Sequence, residues 1–177
     1  MAMPVKHELA PEELFCLEGC RSYAQYHHMR RHFEHGHCVF CDLDLELNKI
    51  LWEDESVYAF CPPPEFIRTP LALHLIIIPK RHVRFEVDLT EPEYLSVRRA
   101  KQFIYGRFEY KGGLTHVREG DMRYNSGSVP HLHYNIMVPN GTGEVRIPIF
   151  KNPADRLSDI MRAEEFEKRY KIGELPD

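Results

Sequence analysis

Apolar residues along this chain fall mostly into short runs with the two-residue period of strands, separated by segments carrying helix-start signals. From Lys49 to Phe60 two such runs flank the acidic turn Glu53-Asp-Glu-Ser56 and predict a pair of short strands. Leu73-His-Leu-Ile-Ile-Ile-Pro79 is apolar throughout except for His74, the composition of a strand buried on both faces. Thr90 followed three residues later by Glu93 is a capping-box pattern, and the helix it opens runs to about Gly106 with Arg98, Arg99 and Lys101 as solvated charges. Leu114 to Tyr124 predicts a further strand-pair element, and His131 to Val138 a strand with proline just before and just after it. Asn140-Gly-Thr-Gly143 marks a tight turn, Glu144 to Lys151 another strand, and Asn152-Pro-Ala-Asp155 the start of a helix to about Tyr170. Residues 9–35 read as helical, with Leu14, Leu17, Tyr23 and Tyr26 as an imperfect apolar stripe.

The strand from His131 carries the candidate chemistry. Period two puts His131, His133 and Asn135 on one face and Leu132, Tyr134 and Ile136 on the other, which is the natural core face. Two imidazoles and a carboxamide in a row contribute little to a core, so a functional surface is favoured over the polar side of an edge strand. Asn125-Ser126-Gly127-Ser128 precedes them, a small-residue turn whose amides and hydroxyls suit an anion. A histidine beside an anion site can attack phosphorus or act as a general base. The combination points to phosphate-ester or phosphoanhydride chemistry.

His131-Leu-His133-Tyr-Asn135-Ile-Met137 resembles the histidine-triad (HIT) signature, His-x-His-x-His followed by apolar residues, with Asn in place of the third His. Cys38-Val-Phe-Cys41, Ile50 to Phe60 and His74-Leu-Ile-Ile-Ile-Pro-Lys-Arg-His82 are similar to other HIT segments, in the family's order. The resemblance implies an α+β HIT-like fold, an antiparallel sheet with flanking helices, spanning about residues 38–140. Residues 1–37 are then an N-terminal helical extension, and 141–177 a strand and helix packed on the core.

That resemblance also implies roles. His133 matches the family nucleophile, which forms a nucleotidyl-histidine at the α-phosphorus. Ser128 matches the serine near the scissile or leaving-group oxygen, and His74 the histidine near the phosphate. Asn125, Ser126 and Gly127 supply the anion-binding turn. Asn135 is closer to the Gln of the transferase branch than to the His of the hydrolases, although one methylene shorter, so hydrolase and nucleotidyltransferase both stand. A nucleotide-binding protein with weak turnover and a zinc-stabilised interaction module are the alternatives. Pro62 occupies the place where HIT hydrolases carry a ribose-binding Asp, and a glutamate, Glu65, follows in the same loop.

Cys38-x-x-Cys41 by itself suits half a zinc site, a redox pair or free thiols at the core edge. Similarity to HIT-like galactose-1-phosphate uridylyltransferases implies a structural zinc completed by His82 and His131. His28 and His32, four apart within a segment rich in His and Arg, could face a metal or phosphate; a solvated helix face is the favoured reading. Cys16 and Cys20 read as semi-buried helix residues.

Bulk properties exclude more than they assign. A length of 177 residues, 43% hydrophobic and 28% charged, is that of one globular domain with a proper core. A formal charge of −4 provides no basic field, so nucleic acid is not favoured as a partner; a nucleotide or nucleotide-conjugate substrate and a homodimer are expected. No apolar run approaches a membrane span, and Lys6, His7 and Glu8 interrupt any signal-peptide core. With five cysteines, this leads to the expectation of reduced thiols in a cytoplasmic setting.

Overall fold

A computed structural model describes residues 23–64, 71–125, 127–142 and 147. The expected helix over residues 9–22, Glu65, Ser126, the strand from Glu144 and the C-terminal helix lie outside the described residues.

Five strands form one antiparallel sheet. They are β1 (Lys49–Glu53), β2 (Val57–Cys61), β3 (Leu71–Pro79), β4 (Leu114–Arg118) and β5 (His133–Pro139), in the order β1-β2-β3-β5-β4. The two interior strands that bear chemistry, β3 and β5, lie side by side, with Leu75 opposite Ile136 and Ile76 opposite Asn135. Helix α1 (Tyr23–Glu34) precedes the sheet, α2 (Glu91–Phe108) connects β3 to β4, and the short α3 (Met122–Asn125) follows β4.

Local signals explain most boundaries. Thr90 caps α2 through a complete capping box with Glu93, Pro92 sits in the first turn, and Glu109 ends the helix in a left-handed conformation at φ 44°. Arg98 and Arg99 are exposed as expected, but Lys101 is half-buried, its ammonium 4.4 Å from the centre of the Tyr134 ring. Strand β5 begins at His133, two residues later than the pattern predicts. The reason is that the amide of Leu132 bonds the Val83 carbonyl at 2.6 Å, outside the ladder. The expected strand pair over 114–124 is a strand followed by a helical turn. Gly120 at φ 70° breaks it, its amide bonded to the Arg84 carbonyl.

The sheet buries both faces. Val57, Ala59, Leu75, Ile77, Tyr134 and Ile136 pack with Val97, Ala100 and Ile104 of α2. On the other face Phe60, Ile76 and Ile78 pack with Met29 of α1 and with Val39 and Phe40. The segment from α1 to residue 43 is therefore the cover of the second face. No described helix is long and apolar enough to cross a membrane.

Candidate functional site

The covered second face holds the motif side chains. His133 and Asn135 of β5 share it with His74 of β3, and the register sets Arg118 of β4 opposite His133 and His116 opposite Asn135. His74, Arg118, His131 and Asn135 are all buried, and His133, the most accessible of the group, is only 6% exposed.

Hydrogen bonds define what these groups can do. His133 Nδ1–H donates to the backbone carbonyl of His131 at 2.7 Å, which leaves the lone pair of the neutral ring on Nε2. Phe40 packs edge-on against this ring and against His131, at centroid distances of 5.3 and 5.8 Å. His74 Nε2–H donates to Asn135 Oδ1 at 3.0 Å. That bond turns the carboxamide so that Nδ2, buried and with no hydrogen-bond partner among the described residues, is the free donor. His74 thus positions Asn135 as well as lining the cavity itself.

A cavity of about 60 Å³ opens beside these groups. Its sheet side is formed by His133, Asn135, His74, Arg118, Gly127 and Ser128, and its other wall by Gln25, His28 and Met29 of α1 with Phe40. Ser128 Oγ accepts a bond from Gln25 Nε2 at 3.3 Å, which ties α1 to the turn. Asn125 does not line the cavity. Its Oδ1 accepts the Gly127 amide at 2.9 Å and its Nδ2 donates to the Glu119 carbonyl at 2.7 Å, so it shapes the turn. Gly127 is required by close approach, since a Cβ there would collide with the Met122 sulfur and lie 2.9 Å from Asn125 Oδ1. Pro62 lines the cavity at the end of β2.

The second cluster lies just before β5. Sγ of Cys38 and Cys41 and a ring nitrogen each of His82 and His131 lie within 4.8 Å of one another. His131 Nδ1 is 3.6 Å from both sulfurs, and His82 Nδ1 is 3.2 Å from Cys41 Sγ. Tetrahedral zinc, with Zn–S of about 2.3 Å and Zn–N of about 2.0 Å, sets S···N separations of roughly 3.5 Å, so the donor set fits. His131 Nε2–H donates to the Pro79 carbonyl at 2.9 Å, which fixes the tautomer with Nδ1 as the ligating nitrogen. His82 Nε2, by contrast, is buried with no hydrogen-bond partner among the described residues. The hydrogen bond from Cys41 holds the Cys38 thiol well below its ordinary pKa, while the same bond pushes Cys41 up. One thiolate is therefore readily available and the second forms against resistance, which a divalent cation between them would relieve. Cys38, Cys41 and Cys61, the described cysteines, are free thiols.

The site draws on residues that the sequence pattern leaves unmarked or misplaces. His28 is 7% exposed and lines the cavity, which corrects the solvated-face reading at that position, while Arg30, Arg31, His35 and His37 of the same segment are exposed. Met29 docks α1 against the sheet and carries His28 in with it. Burial lowers the pKa of His28, and the neighbouring His32, 4.8 Å away between ring centroids, and Arg31 lower it further. His28 and His32 are not part of the Cys/His cluster. Arg118 and Gln25 carry no local signal; register and docking bring them in.

No family model and no curated protein matches the chain. Among solved structures, it is similar to a HIT family hydrolase from Clostridium thermocellum, 25% identical over 61% of this chain and 95% of that one, with a TM-score of 0.47. A member of the HIT family from Bacillus subtilis is 25% identical over 75% and 96% of the two chains, with a TM-score of 0.46. A histidine triad protein from Clostridium difficile is 21% identical over 62% and 96%, also with a TM-score of 0.46. The fold rests on the molecule itself. An antiparallel five-stranded sheet with helices packed on it, the strand of His133 and Asn135 inside it and the Cys-x-x-Cys turn near that strand's start make this an α+β fold of the architecture the resemblance implies.

Proposed function

We propose that this chain is a HIT-superfamily enzyme acting at the α-phosphorus of a nucleotide, a nucleotidyl hydrolase or transferase with His133 as nucleophile. The observation that carries the reading is the 2.7 Å bond from His133 Nδ1–H to the His131 carbonyl, which makes Nε2 the nucleophilic nitrogen of a ring buried beside an anion-sized cavity. Nε2 attacks phosphorus, an N–P bond forms, and the bond to the leaving oxygen breaks with its electron pair on that oxygen. Water or a second phosphate oxygen then displaces the histidine. The Ser128 hydroxyl and the Asn135 amide, held by His74, donate hydrogen bonds to oxygens that gain charge. An amide cannot give up a proton to the leaving group, so oxygens that depart as stable anions, such as phosphates, are favoured over alkoxides.

Cys38, Cys41, His82 and His131 would hold zinc. When bound, the metal supplies a structural crosslink between the Cys38–Cys41 turn and the start of β5. His131 then has two tasks: its ring is a ligand and its carbonyl orients the nucleophile.

The cavity of about 60 Å³ takes a phosphoryl group and a few waters. The neutral carboxamide of Asn135 at the third motif position favours, as a second reading, a nucleotide-binding protein of low turnover.

Rapid-quench intact-mass spectrometry tests the proposal. Zinc-replete protein is mixed with dinucleoside polyphosphates, nucleotide sugars and nucleoside phosphoramidates. A gain of one nucleotidyl mass supports the enzyme; nucleotide binding without adduct or product from any donor supports the second reading.

A further inference from the structure

Arg118 is the strongest charge built into the site, and nothing in the mechanism above uses it. It ends β4 directly across the ladder from His133, so the two side chains leave the same face of adjacent strands. In an antiparallel pair such Cβ atoms are about 4.5–5.5 Å apart. Arg118 is 3% exposed and lines the cavity together with His133, Asn135 and Ser128. Its Nη1 donates to the Asn125 carbonyl, which fixes the guanidinium against the turn that forms the cavity's rim. The planar fork of a guanidinium matches phosphate oxygens two at a time.

Resting on the reading that His133 attacks a phosphoryl group, we propose that Arg118 binds the non-bridging oxygens of that group and stabilises the charge they carry in the transition state. The third motif position is Asn135, a neutral amide, so the motif strand itself supplies no fixed cation beside the nucleophile. Arg118 supplies it from the adjacent strand, and its charge does not titrate. In the step, the N–P bond forms and the P–O bond to the leaving group breaks, while Arg118 keeps all its protons. The substrate class follows: the reacting phosphorus carries anionic non-bridging oxygens, and replacing one by a methyl group removes half of what a forked guanidinium recognises.

Three measurements on the zinc-replete full chain test this with Arg118→Lys and Arg118→Gln. Thermal melting shows whether each variant folds. Titration calorimetry with inorganic phosphate reads the anion site without any reaction. Rapid-quench mass spectrometry reads the rate of adduct formation. In Arg118→Gln, phosphate affinity is expected to fall at least about tenfold and adduct formation about 10²–10³-fold, the loss typical for one transition-state donor. Arg118→Lys recovers part of both, and with a methylphosphonate analogue of the donor the rate difference between wild type and Arg118→Gln is much smaller. Should Arg118→Gln fail to fold, the comparison passes to Arg118→Lys, with smaller losses of the same sign. A folded variant with wild-type phosphate affinity and wild-type adduct rate overturns the proposal and leaves Arg118 as a strut for the turn. If no donor labels the wild type, the enzymatic reading fails, but phosphate titration still decides Arg118: weaker binding in the variant supports the anion site, and equal binding removes it.

Discussion

The two faces of the sheet are built from the same strands and differ in almost everything else. The face towards α2 is uniformly apolar, with Leu75, Ile77, Tyr134 and Ile136 no more than 2% exposed beneath a long, fully capped helix. The opposite face buries His74, Arg118, His133 and Asn135 among Phe60, Ile76 and Ile78. Its cover is a 12-residue helix and a Cys-x-x-Cys turn. Along β5 the two roles alternate residue by residue. One face is stabilised chiefly by apolar burial, with the Tyr134 hydroxyl donating to Glu86, whereas the other depends on hydrogen bonds, packing and the cluster of Cys38, Cys41, His82 and His131. Polar chemistry can be kept rigid and dry here because its apolar twin carries the stability of the same strand.

That division can be broken one face at a time. His133→Ala is expected to have the largest effect, at least about a 10⁴-fold loss of adduct formation and turnover with little change in melting temperature. Loss of both in step with unfolding would erase the distinction between the faces. Next is Cys38→Ser, or exhaustive chelation: zinc, at one ion per chain by mass spectrometry under native conditions, is lost along with more than about 4 kcal/mol of stability in denaturant titration. On the α2 face, Ile136→Ala removes fully buried methyl groups and lowers stability by roughly 2–5 kcal/mol, while the rate of adduct formation per folded molecule stays near wild type.

The smallest expected effect sharpens the comparison at the cap of α2. Arg81, in a bidentate pair at 2.8 and 2.9 Å, together with the Thr90 capping bonds, pulls Glu93 down to about 2 from an ordinary 4.5. A depressed carboxylate contributes stability that is present above its unfolded pKa and lost as pH falls through the folded one. Glu93→Gln is therefore expected to cost about 1 kcal/mol at pH 7. The gap to wild type should close between pH 4.5 and 2 in denaturant titrations at stepped pH, with no effect on His133 chemistry.

What the sequence made legible was local. The capping box at Thr90, the apolar run of β3 and the parity of β5 depend on neighbours in the chain, and each holds within a residue or two. Cys38, Cys41, His82 and His131 were gathered through family resemblance, since nothing in their spacing brings residues 38 and 131 together; the fold does. The rest was illegible for a physical reason. Arg118 becomes a site residue only through the β4–β5 register, and a shift of one residue would turn it to the other face. His28 becomes one only because Met29 docks α1 onto the sheet, and a polar helix pattern says nothing about what it will cover.

The most direct measurement is peptide mapping of the quenched adduct under alkaline conditions, where an N–P bond survives. The predicted result is one nucleotidyl group on His133, absent in His133→Ala and slowed in Arg118→Gln. A nucleotidyl group on His28 or His74, or turnover with no covalent histidine at any quench time, would contradict the assignment of His133 as the nucleophile.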